Sequence, residues 1–141
     1  MNLDPEIIKE IADELDIGMY CFLHIKTGEP LFIIDTEQPG ASDVLEFYQE
    51  DLDKIEQNKD QYEKIEPMGS DEMFQVMEDF SKTVGSEEIR AKLQNALTQR
   101  KPFQNFRNLV DSYGDMRDNW FEFKEAKYID WVKRRVKCLG E

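Results

Sequence analysis

The chain has 141 residues, with 31 acidic and 18 basic side chains and a formal net charge of −13. This length is typical of one domain, so we predict a single domain over residues 1–141. No apolar run approaches the roughly 20 residues of a membrane span, and the acidic start MNLDPEIIKE is unlike a secretory leader. We therefore expect a cytoplasmic protein without membrane contact, in which Cys21 and Cys138 are reduced and mostly buried thiols.

The charge is unevenly distributed along the chain. Residues 1–88 hold 24 acidic and 6 basic side chains, and the residues from Arg90 onward hold 7 acidic and 12 basic ones. Such asymmetry can mark a half that binds a polyanion. It is also explained if the two halves pack together and attract each other, which we favour because the net negative charge opposes nucleic-acid binding.

The first predicted elements are a helix and a β-hairpin. Asp4 and Pro5 are typical of a helix start, and the helix is expected to end at Gly18. Two apolar, β-prone runs follow over 19–25 and 30–34, and the turn 26–29 between them contains a glycine. Pro30 has no N–H to donate, so the second strand should lie at a sheet edge or begin just after this residue.

A helix and a third strand are predicted next. The helix is expected to start at Ser42 and to bury four apolar residues at helical spacing, with an acidic opposite face: Val44, Tyr48, Leu52 and Ile55. Asp51 and Asp53 have the opening spacing of a calcium loop, but the later ligand positions do not fit, so we expect no metal. We predict a short strand over 61–67, because Glu66 precedes a proline and is therefore biased to extended geometry.

Four more helices complete the predicted fold. Ser70 and Ser86 are expected to cap two of them, Pro102 to open the third, and Asp115 to cap the last. The fold class is therefore α+β, with a small antiparallel sheet of two or three strands packed by about six helices and with helix dominating.

Several segments resemble a known family. In order, they are Lys26-Thr27-Gly28-Glu29, Ile65-Glu66-Pro67, Met77-Glu78-Asp79-Phe80, the run 101–107 (KPFQNFR) and the run 120–124 (WFEFK). Together they resemble the uncharacterised bacterial protein family numbered 0158, particularly its Bacteroidetes-type members. This resemblance implies an intracellular bacterial domain, and it carries over no activity, cofactor or catalytic residue.

The last helix carries the candidate binding site. At 100° per residue, one stripe of the helix is predicted to face the core: Phe121, Tyr128, Ile129, Val132, Val136 and Leu139. Beside this stripe lie the tentative binding residues Arg117, Trp120, Lys124, Trp131 and Arg135, to which Arg107 of the preceding helix is added.

Three interpretations of this aromatic and basic flank remain open. Lysine and arginine stems commonly cover aromatic rings at the edge of a core. Tryptophan and arginine are also enriched at the centres of protein interfaces. Interleaved aromatics and cations can, in addition, stack bases and hold phosphates.

Catalytic candidates are weak by comparison. His24 is the single histidine, and it is separated by three strand positions from Cys21, so the two side chains point to opposite faces. Glu122 and Glu125 lie among aromatics and are the least implausible carboxylates for acid–base chemistry. We expect no cofactor.

The predicted function is a non-enzymatic intracellular interaction or regulatory module that uses the flank of the last helix. The alternatives are a nucleic-acid-binding protein acting through its basic C-terminal half, and an enzyme with a carboxylate site. A protein partner and a monomer or homodimer are expected, and nucleic acid is disfavoured.

Overall fold

The computed structural model of the protein describes residues 1–139. Within them, three strands and six α-helices confirm the helix-dominated α+β class. The strands are β1 (Tyr20–His24), β2 (Pro30–Ile33) and β3 (Tyr62–Ile65). The helices are α1 (Pro5–Asp16), α2 (Gln49–Gln57), α3 (Ser70–Thr83), α4 (Glu87–Leu97), α5 (Pro102–Ser112) and α6 (Gly114–Lys137).

The chain forms two compact units. The sheet unit comprises Met1–Pro67 together with the chain from Tyr128 onward, and the helical unit comprises Met68–Lys127. Helix α6 contributes residues to both units. That the whole chain folds as one domain therefore stays our proposal, which unfolding experiments would test.

The sheet unit contains an antiparallel sheet of strand order β2-β1-β3. The hairpin and the third strand are both as predicted, and Pro30 begins the edge strand β2, where its missing N–H leaves no ladder bond unmade. Along β1, Cys21 and Leu23 are fully buried and alternate with half-buried neighbours. Helix α1 packs against β1 and β2 and buries four apolar residues: Ile8, Ile11, Ala12 and Leu15.

The hairpin turn is closed by His24 and Gly28. The backbone N–H of Gly28 donates to the carbonyl oxygen of His24 at 2.8 Å, and Gly28 has a φ of 76°, a left-handed conformation that glycine adopts readily. The Nδ1 atom of His24 accepts from the backbone N–H groups of Lys26 and Thr27 at 3.1 and 3.2 Å. The predicted turn is therefore confirmed, and the His24 side chain forms part of the turn.

The segment after β2 differs from its prediction. Instead of one helix from Ser42, short 3-10 helices occupy Ala41–Asp43 and Leu45–Tyr48, and α2 begins only at Gln49. Val44, expected in the core, is 37% exposed, and α2 has no fully buried residue. The left-handed Gly40 at the start makes a tight turn, in which successive i→i+3 bonds replace the helical spacing on which the prediction relied.

The helical unit is built around an aromatic cluster. Phe80, Phe106 and Trp120 pack edge to face, with ring centroids 5.1–6.2 Å apart. Aliphatic residues of α3, α4 and α5 complete this buried cluster: Val76, Met77, Leu93, Leu97 and Val110.

Three predicted helix starts are confirmed, at Asp4, Ser86 and Pro102. The Asp4 carboxylate accepts from the backbone N–H of Glu6 at 2.9 Å, and the Ser86 hydroxyl oxygen accepts from that of Ile89 at 3.3 Å. Ser70 is instead the first residue of α3, and Gly69 precedes it as N-cap without a side-chain bond. Asp115 lies inside the first turn of α6, which begins at Gly114.

Candidate functional site

The predicted binding residues fall into two groups. Arg107, Arg117, Trp120 and Lys124 belong to the helical unit, whereas Trp131 and Arg135 belong to the sheet unit.

Trp120 lies in the core of the helical unit. Its side chain is 3% exposed, and its ring centroid lies 5.3 Å from that of Phe80 and 5.1 Å from that of Phe106. The sequence placed Trp120 beside the core stripe of the last helix. The ring is instead part of the core, so it is not accessible to a partner.

Phe121, and not Trp120, lies at the surface of the helical unit. It was predicted to face the core, and this prediction was wrong, because its side chain is 43% exposed. The guanidinium carbon of Arg117 lies 5.4 Å from its ring centroid, and Nζ of Lys124 lies 5.2 Å from it. We call these three residues the Phe121 patch.

The exchange of Trp120 and Phe121 has a physical reason. The buried residues Trp120, Tyr128, Val132 and Val136 are separated by multiples of four, whereas an α-helix repeats every 3.6 residues. The buried face therefore turns around α6 from one end to the other. A single straight stripe fitted to the whole helix, as in the sequence prediction, is correct near its C-terminal end and misses the N-terminal half.

The Phe121 patch carries two cations, Arg117 and Lys124. Arg117 Nε lies 3.8 Å from Asp111 Oδ1, and both side chains are exposed. An exposed ion pair of this length contributes little, about 0–1 kcal/mol. Lys124 is half-buried and also lies 5.8 Å from the ring centroid of Trp120. The spacing of 117, 121 and 124 (i, i+4, i+7) is the sequence signal that could have located this patch.

Arg107 is an exposed residue of α5. That it extends the basic surface of α6 stays a prediction, as does the alternative that it pairs with acidic residues of the N-terminal half. The Phe121 patch is defined by contacts of Arg117 and Lys124 with the Phe121 ring, and Arg107 is not included in it.

Trp131 and Arg135 make a contact within the sheet unit. The guanidinium carbon of Arg135 lies 4.8 Å from the Trp131 ring centroid, and the indole N–H donates to the carbonyl oxygen of Glu66 at a long 3.4 Å. The Trp131 side chain is half-buried. This arrangement is typical of an arginine stem covering an aromatic ring at the edge of a core.

His24 is held by the hairpin rather than presented for chemistry. Because its Nδ1 accepts two backbone bonds, the proton lies on Nε2, which donates to Gln61 Oε1 at 2.9 Å. Burial, with a smaller contribution from the negative charge of Glu10, raises the pKa of the Cys21 thiol to about 12. The Cys21 thiolate is therefore disfavoured at neutral pH. Cys138, which was predicted to be mostly buried, is exposed.

The remaining candidates for chemistry are the carboxylates. Glu122 is exposed and Glu125 is half-buried. In residues 1–139, no three or more His, Cys, Asp or Glu side chains lie close enough together to hold a metal ion. No helix in this range is both long and apolar enough to cross a membrane.

Comparisons with known proteins place the chain in a family. The profile of the uncharacterised protein family UPF0158 matches residues 3–137, and the chain belongs to that family. It is also similar to the UPF0158 protein PA5073 of Pseudomonas aeruginosa, with 27% identity over 127 residues that cover 89% of this chain and 76% of the relative. No solved structure matches the chain significantly. The resemblance drawn from the sequence is thereby confirmed at family level, and the Bacteroidetes-type assignment stays a prediction.

Proposed function

We propose that the protein is a cytoplasmic interaction module that binds an acidic segment of a protein partner through the Phe121 patch. The observation that carries this proposal is a large aromatic side chain that is 43% exposed and has two cations within 5.4 Å of its ring centroid. The module acts as a monomer or homodimer and has no catalytic role.

The hydrophobic part of the proposed interaction is the ring of Phe121. Fully burying a phenylalanine side chain stabilises an interface by roughly 1.5–3 kcal/mol. Aromatic and arginine side chains are the residues that most often dominate binding energy when they lie at the centre of an interface. A partner that covers Phe121 would therefore gain a part of its affinity from this ring.

The polar part is the pair of cations. The guanidinium group of Arg117 can donate two parallel bonds to one carboxylate, and Lys124 adds a second positive charge beside the ring. Both groups favour an acidic partner. The net charge of −13 repels any anion, but it repels a nucleic acid, which carries a charge at every phosphate, more strongly than a short acidic segment with a few carboxylates.

Selection from a random peptide library tests this proposal. The wild-type protein is used as the target, and the enriched peptides are synthesised and titrated against three variants: Phe121→Ser, the double variant Arg117→Ser/Lys124→Ser, and Phe47→Ser. Phe47 is the matched control, because it is a phenylalanine with 83% exposure outside the patch.

The expected result is enrichment of acidic peptides whose affinity falls about tenfold or more in both patch variants and is unchanged in Phe47→Ser. Two results would overturn the proposal. One is selection that yields no acidic enrichment, and the other is enriched peptides that bind Phe121→Ser as tightly as wild type.

A further inference from the structure

The sheet unit contains a cavity that the proposed function does not use. Its volume is about 350 Å³, which is in the range of small-ligand sites. Its floor includes Tyr20, Phe22 and Ile33 of the sheet, and Leu52 of α2 forms part of its wall.

The sheet register explains why these side chains share the floor. Tyr20 and Phe22 are two positions apart on β1, so both side chains point to the same face of the sheet. Tyr20 is opposite Ile33 on β2, and Phe22 is opposite Lys64 on β3. Both aromatic side chains are half-buried, so each presents part of its ring to the cavity that it lines.

The rim of the cavity is acidic. Asp35, Glu37 and Glu66 line it together with a single cation, Lys64, which leaves a net charge of −2 among the lining residues. The Asp35 carboxylate accepts from the backbone N–H of Glu37 at 3.0 Å, which fixes the loop that carries two of these acids. A negative rim over an aromatic floor is complementary to a positively charged organic group.

The ammonium group of Lys64 already lies over one of the aromatic rings that line the cavity. Its Nζ lies 4.6 Å from the Tyr20 ring centroid and 3.6 Å from Glu66 Oε1. The ammonium group thus combines an aromatic face with a carboxylate, which are the two contacts that a bound ammonium ion would require. The side chain of Lys64 is 45% exposed, so it is able to move aside.

We propose that this cavity binds an organic ammonium ion, which is either a free small amine or a lysine side chain of another protein. The ring faces of Tyr20 and Phe22 receive the cationic head, and the carboxylates of Asp35, Glu37 and Glu66 balance its charge. An incoming ligand competes with Lys64 for the Tyr20 ring.

The first test compares choline with 3,3-dimethylbutan-1-ol, a neutral molecule of nearly the same shape. Each is titrated into ¹⁵N-labelled protein at constant ionic strength, and the backbone amide shifts of Tyr20, Phe22 and Lys64 are followed. We expect saturable shifts with choline and at least about tenfold weaker binding of the alcohol, since the attraction is electrostatic. Equal affinity for both molecules, or no saturable shift with choline, would overturn the proposal.

The second test uses the competition with Lys64. The Lys64→Met variant should bind choline about threefold to tenfold more tightly, because the internal cation has been removed. Lys59→Met is the matched control: it removes one positive charge from another exposed lysine of the same unit, whose Nζ lies 2.9 Å from Glu56 Oε1. If both variants increase the affinity equally, the effect is one of net charge, and the cavity is not the site.

The same titrations distinguish the two sources of the cation. Spermidine represents the free amines, and a short peptide with one trimethyllysine represents a protein side chain. Tighter binding of the peptide than of spermidine assigns the cavity to a protein partner, and the reverse order assigns it to a small amine. Failure of both to compete with choline would contradict the proposal. None of these outcomes depends on the Phe121 patch, which lies in the helical unit.

Discussion

At the scale of single residues, Gly28 shows how closely the hairpin turn is specified. Its φ of +76° is a conformation that costs other residues roughly 1–2 kcal/mol. A Cβ atom at this position would also lie 3.0 Å from Leu3 Cδ2. The turn therefore constrains both the backbone and the space beside it.

We predict that Gly28→Ala lowers the free energy of unfolding by about 1–3 kcal/mol, measured by urea denaturation. Gly18→Ala is the control, since Gly18 has a φ of +96° but open space around the position of a Cβ. Gly28→Ala should cost more than the control. Equal losses would show that Leu3 does not crowd the turn.

Cys21 gives a pH-dependent prediction. Because burial raises the pKa of its thiol from 9.0 to about 12, the protonated thiol is favoured in the folded state. This contribution to stability is fully present below about pH 9, and it is lost as the pH rises toward 12.

The Cys21→Ala variant removes this titration. We expect it to be less stable than wild type by about 1 kcal/mol at pH 7, and the difference should shrink above about pH 9 and change sign by about pH 10.5. Urea denaturation of both proteins at a series of pH values measures the difference. A difference in the free energy of unfolding that stays constant or increases above pH 9 would contradict the raised pKa of the Cys21 thiol.

At the scale of elements, the sheet was predictable and the last helix was only partly so. The hairpin and β3 follow from local signals, namely β-prone runs, a Gly-containing turn and the extended residue before Pro67. These signals act over a few residues, so the sequence contains them directly. The prediction that Val44 is buried was wrong, because the tight turn after Gly40 interrupts the helical spacing on which that prediction relied.

The prediction of the buried face of helix α6 was partly wrong for a different reason. The existence of α6 and its start within two residues were predicted from apolar spacing and Asp115. Which ring is buried in its N-terminal half is decided by packing against Phe80 and Phe106, which lie 40 and 14 residues earlier in the chain than Trp120. Periodicity along the helix carries no information on those contacts, so Trp120 and Phe121 were exchanged.

Alanine substitutions test this assignment of faces. Trp120→Ala should lower the free energy of unfolding by about 3–5 kcal/mol, because it empties a large volume in the core of the helical unit. Phe121→Ala should change it by less than about 1 kcal/mol, the range expected for exposed positions. Thermal or urea denaturation followed by circular dichroism provides both numbers. Similar costs at the two positions would contradict the structure.

At the scale of the whole molecule, the question is whether the two units unfold together. Because α6 is one continuous helix with residues in both, we expect the unfolding of one unit to destabilise the other. Trp120 reports on the helical unit and Trp131 on the sheet unit. In the Trp131→Phe and Trp120→Phe variants, fluorescence therefore follows one unit at a time.

We predict one cooperative transition in each variant, with the fluorescence midpoint in urea equal to the midpoint measured by circular dichroism. This result would support the proposal of a single domain. Separate midpoints for the two probes would show instead that the units unfold independently.

The central claim is that α6 buries Trp120 and presents Phe121. Acrylamide quenching of a single tryptophan tests it most directly, with the tryptophan placed at one position or the other. In Trp131→Phe, the remaining Trp120 should emit in the blue and be poorly quenched. In the variant with Trp120→Phe, Trp131→Phe and Phe121→Trp, the new tryptophan should be readily quenched. A well-quenched Trp120, or a shielded tryptophan at position 121 in a folded protein, would contradict the assignment of faces and remove the basis of the proposed binding patch.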